Sequence, residues 1–127
     1  MGTFRTTAEI ARIVHREHPV AVEMLVDAGS EPTWVPSSVL EGLAVAPEKD
    51  DMAFVVANGR QVTRSVGFAI AHVKQTFTID EVVFAEPGDM APLGARALGG
   101  LNLAVDPARK RLDTAGPLPA AFTIQAR

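Results

Sequence analysis

Phe4, Thr6, Ala8 and Ile10 alternate with more polar neighbours as a first strand should, and this two-residue period recurs along most of the chain. The segment Val20-Ala21-Val22-Glu23-Met24-Leu25-Val26 is β-branched and apolar and predicts a buried strand. It ends on Asp27-Ala28-Gly29-Ser30, an acid followed by a glycine whose backbone freedom suits a tight turn. One carboxylate is thereby expected at the point where a strand leaves the core. Thr33-Trp34-Val35-Pro36 returns as a short apolar strand, and Ser37 to Leu43 predicts a helical turn capped by Ser37 or Ser38. Met90-Ala91-Pro92-Leu93-Gly94 closes a second apolar stretch on a glycine, and Ala95 to Leu101 predicts a short helix stopped by glycines. Strands are expected near residues 3–14, 20–27, 51–57, 61–73, 76–84 and 101–105, which makes the chain an all-β domain with one or two short helices. The Asn58-Gly59 pair, flanked by Phe54-Val55-Val56 and Gln61-Val62-Thr63, is a strong hairpin signal.

Composition narrows the class without naming a function. The 127 residues, 47% of them apolar, suffice for one domain with a modest core. The formal net charge of −3 gives no reason to expect a nucleic-acid partner. The basic run Arg109-Lys110-Arg111 has no interleaved aromatic residue to stack on bases and reads as a solvated turn. With no cysteine, disulfides, thiolate metal sites and cysteine nucleophiles are all excluded. No apolar run approaches the roughly 20 residues of a bilayer span, and Met1 to Arg12 lacks a secretory pattern, so a cytoplasmic protein without a membrane partner is expected. Met1-Gly2-Thr3-Phe4-Arg5-Thr6 satisfies the loose myristoylation pattern, but its alternation is better read as strand. His15 and His18, three apart, read as a solvated hairpin tip in preference to a metal site, and His72 as a strand-edge or core histidine.

The order strand, acid turn, flap-like hairpin, strand, apolar-apolar-Gly and short helix resembles the retropepsin-like aspartic proteases, particularly their bacterial-type relatives, over nearly the whole chain. The family's Asp-Thr/Ser-Gly triplet falls on Asp27-Ala28-Gly29, its following strand on Thr33 to Pro36, and its second motif on Pro92-Leu93-Gly94. A closing Gly-Leu-x-Leu-x-Val-Asp-Pro pattern matches Gly100 to Pro107. The resemblance implies a single domain over residues 1–127, folded as a closed β-barrel or sandwich, with residues from about 115 onward as a C-terminal tail or interface strand. It implies Asp27 as the catalytic residue in a loop with Ala28, Gly29 and Ser30. Ala57, Asn58, Gly59 and Arg60 would form the flap, and Leu93 and Gly94 the cleft floor. The hairpin also reads simply as a surface turn, and Trp34 as a cleft-lining or core residue, the latter preferred.

Such chemistry needs two carboxylates, and the sequence holds one copy of the acid turn, because Asp89 lies in a Pro-Gly turn and Asp106 beyond the closing strand. The resemblance therefore implies a homodimer with one Asp27 from each subunit at the two-fold axis, acting on a peptide or protein substrate without metal or cofactor. Two positions depart from the family pattern. Ala28 replaces a hydroxyl residue that braces the two acid turns across the axis. Ala95 stands where arginine is frequent, leaving Arg96 either to reach Glu31 and the neighbourhood of Asp27 or to lie in solvent. The alternative function is a retropepsin-like scaffold, weakly active or inactive, that binds peptides or partners. A third reading is a β-barrel unrelated to proteolysis, with Asp27 a mere turn former.

Overall fold

In the computed structural model, which describes residues 4–118, the elements follow in the order β1 (Phe4–Ala11), a 3-10 turn (Ile13–His15), β2 (Val20–Val26), β3 (Thr33–Pro36), α1 (Ser37–Gly42), β4 (Lys49–Val55), β5 (Gln61–Val73), β6 (Thr76–Ala85), β7 (Pro92–Leu93), α2 (Ala95–Gly100), β8 (Leu103–Asp106) and β9 (Arg111–Thr114). The described residues form an all-β domain with two short α-helices. Residues 1–3, which begin the lipidation pattern, and 119–127, which hold most of the expected tail, lie outside the described residues. Ala115 and Gly116 are anchored, through Ala115 N–H to the Asn102 carbonyl (2.9 Å) and Asn102 Nδ2 to the Gly116 carbonyl (3.0 Å). Among the described residues no helix is long and apolar enough to cross a membrane.

Seven strands form one sheet in the order β3-β6-β5-β1-β2-β7, with β4 added to β5, while β8 and β9 pair separately. The sheet is open, which corrects the expected closed barrel. Its end strands β3 and β7 meet through a side chain instead of a ladder, the Thr33 hydroxyl accepting the Gly94 N–H at 2.9 Å. The length of β5 explains how a hairpin can leave the sheet. Residues 61–66 pair with β4, Glu9–Ala11 of β1 take over opposite Ile70–His72, and β6 runs along the other edge from Val66 to Val73.

Strand alternation sorts the side chains into two clusters. Ala8, Ile10, Met24, Val26, Val35, Leu40, Val82, Leu93, Leu98 and Leu101 belong to the main core. Each fully buried aliphatic chain there contributes about 1.5–3 kcal/mol. Trp34, Val66, Val83 and Ala85 form a second cluster on the other face, joined by Phe54, Val56 and Val62 of the hairpin. Trp34 is thus a packing residue, its ring edge-on to Phe54 at 5.4 Å between centroids.

Several local expectations shift. β2 is buried on one face only, since Val22, Met24 and Val26 point inward while Glu23 faces out and accepts the Thr7 hydroxyl at 2.7 Å. The first strand stops at Ala11, because the chain must turn through Ile13–His15 to enter β2. Neither serine caps α1, whose N-cap is Pro36. In α2, Gly99 and Gly100 lie inside the last turn and do not end it. Gly100 leaves room for the Thr78 hydroxyl, and the left-handed residue beyond the helix is Asn102 (φ 56°). Leu101 caps this helix, so the following strand starts at Leu103. It pairs with the unanticipated β9, whose first residue is Arg111 of the basic run.

Candidate functional site

The acid turn is built by three segments. β2 pairs with β1 on one side and in parallel with β7 on the other, with Leu25 opposite Pro92 and Val26 opposite Leu93. Hydrogen bonds from Leu25 N–H to the Ala91 carbonyl and from Asp27 N–H to the Leu93 carbonyl, both 3.1 Å, carry this register up to the aspartate. The turn then closes on itself, as Asp27 Oδ1 accepts the Gly29 N–H at 3.0 Å and the Asp27 carbonyl accepts the Ser30 N–H at 3.1 Å. This side-chain turn makes Gly29 useful for a reason other than left-handed backbone, which it does not adopt. A Cβ at Gly29 would stand only 3.2 Å from Asp27 Oδ1.

The far side of the turn is gripped by the start of α2. Ala95 N–H donates to the Ser30 carbonyl (2.7 Å) and Arg96 N–H to the Glu31 carbonyl (3.2 Å). The Ser30 hydroxyl donates to the Pro32 carbonyl at 2.8 Å. The structure therefore brings Asp27, Ala28, Gly29 and Ser30 together with Leu93 and Gly94. Asp27 is half-buried, whereas Ala28 and Gly29 at the apex are exposed. Thr33, only 1% exposed, is a site-building residue that the sequence reading treated merely as strand. Its signal was a lone hydroxyl at the entry to an apolar strand. Thr33→Val removes the seam bond and leaves a buried N–H without its partner, and is expected to cost about 1–3 kcal/mol in urea unfolding. An unchanged midpoint would show that the seam needs no hydroxyl.

Among the described residues no hydrogen bond joins the hairpin tip to the acid turn. Gly59 (φ +83°) donates its N–H to the Val56 carbonyl at 2.8 Å, and Val56 N–H donates to the Arg60 carbonyl at 2.9 Å. Asn58 keeps negative φ and accepts the Arg60 N–H through its side chain, so the loop is a three-residue turn with glycine in the left-handed position. Ala57, Asn58, Gly59 and Arg60 are all exposed, and the tip's hydrogen bonds are internal. Lower down, Arg64 of β5 makes a two-pronged pair with Asp89, Nε to Oδ2 at 2.7 Å and the second terminal nitrogen to Oδ1 at 2.9 Å.

Other candidates fall into structural roles. The Arg96 guanidinium lies 3.5 Å from Glu81, away from Glu31 and Asp27. His15 and His18 are exposed within 3.8 Å of the Glu17 carboxylate, and among the described residues no three His, Asp or Glu side chains cluster for a metal. His72 is half-buried against Phe77 at 5.4 Å. Arg109 and Arg111 pair with Asp106 and Asp113 beside the turn. A cavity of about 700 Å³ is lined by Lys74, Gln75, Thr76, Leu101, Asn102, Leu103 and Thr114, and does not include Asp27.

Four carboxylates are perturbed, and Glu17, exposed beside His15 and His18, is held below the usual range by a backbone hydrogen bond and by the two imidazoles. The Arg64 guanidinium hydrogen-bonded to Asp89, and the Lys49 ammonium on Glu81, hold those two groups below the usual carboxylate range. Burial pushes Asp80 above it, with Oδ2 lacking a hydrogen-bond partner. Depressed carboxylates contribute stability that is present above the ordinary range and is lost as pH falls through their lowered folded values. Asp80 acts oppositely, since its penalty is relieved as pH falls through its raised folded value. Asp89, paired largely out of solvent, should dominate over the solvated Glu81, so the urea midpoint is expected to drop between about pH 5 and pH 2, and less steeply in Asp89→Asn. Parallel profiles for the two proteins would remove Asp89 from the account.

No protein-family model matches the chain, and no curated protein matches it.

Proposed function

We propose that the chain is an aspartic endopeptidase of retropepsin type, acting as a homodimer with one Asp27 from each subunit at the two-fold axis. The observation that carries this reading is the acid turn itself. Its aspartate is locked at the end of β2 by the Leu93 carbonyl, its apex is exposed, and its far side is held by the residues following Gly94. A rigid, exposed acid turn suits a carboxylate that must meet a second copy with little freedom. The hairpin supports the same reading, because its tip is exposed and Phe54, Val56 and Val62 just below the tip pack in the cluster of Trp34, one residue beyond the Thr33 seam.

In this mechanism two carboxylates about 3 Å apart share one proton. The ionised member takes a proton from water, and the oxygen so activated attacks the scissile carbonyl. The protonated member meanwhile polarises the carbonyl oxygen. A tetrahedral intermediate forms without an acyl-enzyme, then collapses as the leaving nitrogen gains a proton. An extended peptide would add as a strand beneath the hairpin, with alternate side chains entering pockets.

Ala28 favours the second reading, a peptide-binding scaffold with little hydrolysis. No hydroxyl stands at the turn's apex, and the nearby Ser30 hydroxyl is committed to the Pro32 carbonyl of its own chain. Restoring one with Ala28→Thr is expected to tighten the dimer by about 1–3 kcal/mol over two symmetric copies, roughly 5- to 150-fold in dissociation constant. The deciding experiment is sedimentation over a concentration series, with cleavage of a mixed peptide library on the same samples. Cleavage that rises with dimer fraction and vanishes in Asp27→Asn supports the peptidase. A stable dimer without cleavage leaves the scaffold, and a monomer at every concentration defeats both dimeric readings.

A further inference from the structure

The hairpin of β4 and β5 is fixed below its tip by a charged pair that shields itself from solvent. Both side chains are largely buried, 13% exposed for Arg64 and 15% for Asp89. All three guanidinium nitrogens are engaged. Two grip Asp89 as a fork, and the third donates to the Thr63 carbonyl at 2.8 Å and lies 3.8 Å from Glu86 Oε1. Asp89 is equally committed. Its Oδ2 also accepts the Glu86 N–H at 2.8 Å, and its own N–H closes the same turn onto the Glu86 carbonyl at 2.9 Å. Ala91 and Leu93, two and four residues later, accept hydrogen bonds from Leu25 and Asp27. A short line of bonded groups thus runs from the hairpin through Arg64 and Asp89 into the segment that frames the acid turn.

We propose that Arg64 and Asp89 form a positioning clamp that sets the hairpin relative to the Asp27 turn. A planar fork on a carboxylate fixes direction as well as distance, which a lysine ammonium cannot do. Lys49 and Glu81 offer the contrast. They tie β4 to β6 by a point contact at 2.6 Å, with 47% and 26% of the side chains exposed, so that pair is solvated and contributes little. The structural link stands on the hydrogen bonds alone, whereas its effect on cleavage rests on the peptidase reading.

The test compares wild type, Arg64→Lys, Asp89→Asn and the control Lys49→Ala by amide hydrogen exchange, with peptide cleavage on the same proteins. Loss of the fork is expected to speed exchange of the paired β4 and β5 amides between residues 52 and 66 about tenfold or more, leaving β1 and β2 unchanged. Lys49→Ala should leave exchange in the hairpin, β1 and β2 as in wild type. Where cleavage is present, KM should rise about tenfold with kcat within about threefold, because a loosened hairpin weakens substrate capture more than it disturbs the carboxylates. Hairpin amides as slow as in wild type would overturn the clamp. So would exchange that quickens equally throughout the sheet, because that pattern is plain loss of stability. A wild type that cleaves nothing overturns the peptidase reading, and the exchange pattern still decides the clamp.

Discussion

Gly94→Ala is expected to destabilise the protein by at least about 3 kcal/mol in urea unfolding. Gly94 has extended backbone, φ −92° and ψ −179°, which any residue can adopt, so the obstacle is space. A Cβ there would collide with the Pro32 carbonyl oxygen and come within 2.7 Å of the Ser30 carbonyl oxygen. Neither can retreat freely, because Ser30 accepts the Ala95 N–H and Gly94 itself donates to the buried Thr33 hydroxyl. Overpacking costs about 1–3 kcal/mol, and each hydrogen bond stretched to relieve it adds about 0.5–1.5. Gly99→Ala is the control, since it has open space in α2, and helix propensity favours alanine by up to about 1 kcal/mol. The two substitutions should move the midpoint in opposite directions. A Gly94→Ala midpoint equal to that of wild type would mean that the crossing at the acid turn is loose, and the rigidity assigned to Asp27 would go with it.

That crossing also marks how far the sequence can be read. The period of two in β1, β5 and β6 and the Asn58-Gly59 turn were visible because each depends on neighbours in sequence. The end of β2 at an acid was visible for the same reason. The identity of the strand beside Asp27 was not a local property. β7 is two residues long, and its strand character comes from hydrogen bonds to Leu25 and Asp27, more than sixty residues away in sequence. Thr33 and Asp89 were overlooked on similar grounds, since a threonine in a strand and an aspartate in a Pro-Gly turn look ordinary until their partners arrive from elsewhere. The glycines show the reverse error. The sequence points to backbone freedom at Gly29 and a helix stop at Gly100, whereas what matters at each is a neighbouring side-chain oxygen, Asp27 Oδ1 in one case and the Thr78 hydroxyl in the other. The open sheet has a physical source too, because β3 and β7 are four and two residues long and meet through one hydroxyl.

Asp27→Asn is expected, on the proposed dimeric mechanism, to lower peptide cleavage by at least about 10³-fold while leaving the fold intact, because proton transfer by a positioned group is worth about 10²–10⁴-fold and the proposed dimer would lose both copies. Asparagine keeps an acceptor for the Gly29 N–H, so the turn should survive with a change below about 1 kcal/mol. Mixing separates a dimeric site from a monomeric one more sharply than either protein alone. If subunits exchange freely and each site needs two carboxylates, equal amounts of the two chains leave about a quarter of dimers wholly wild type. Cleavage then follows the square of the wild-type fraction. A site complete within one chain would follow the fraction itself and leave about half at equal amounts. The linear result would place the second catalytic group elsewhere in the same chain and end the two-fold mechanism, even if Asp27 remained essential. The quadratic result, obtained at concentrations where sedimentation shows dimer, would tie hydrolysis to the pairing of two exposed acid turns that Ala28 leaves without a hydroxyl between them.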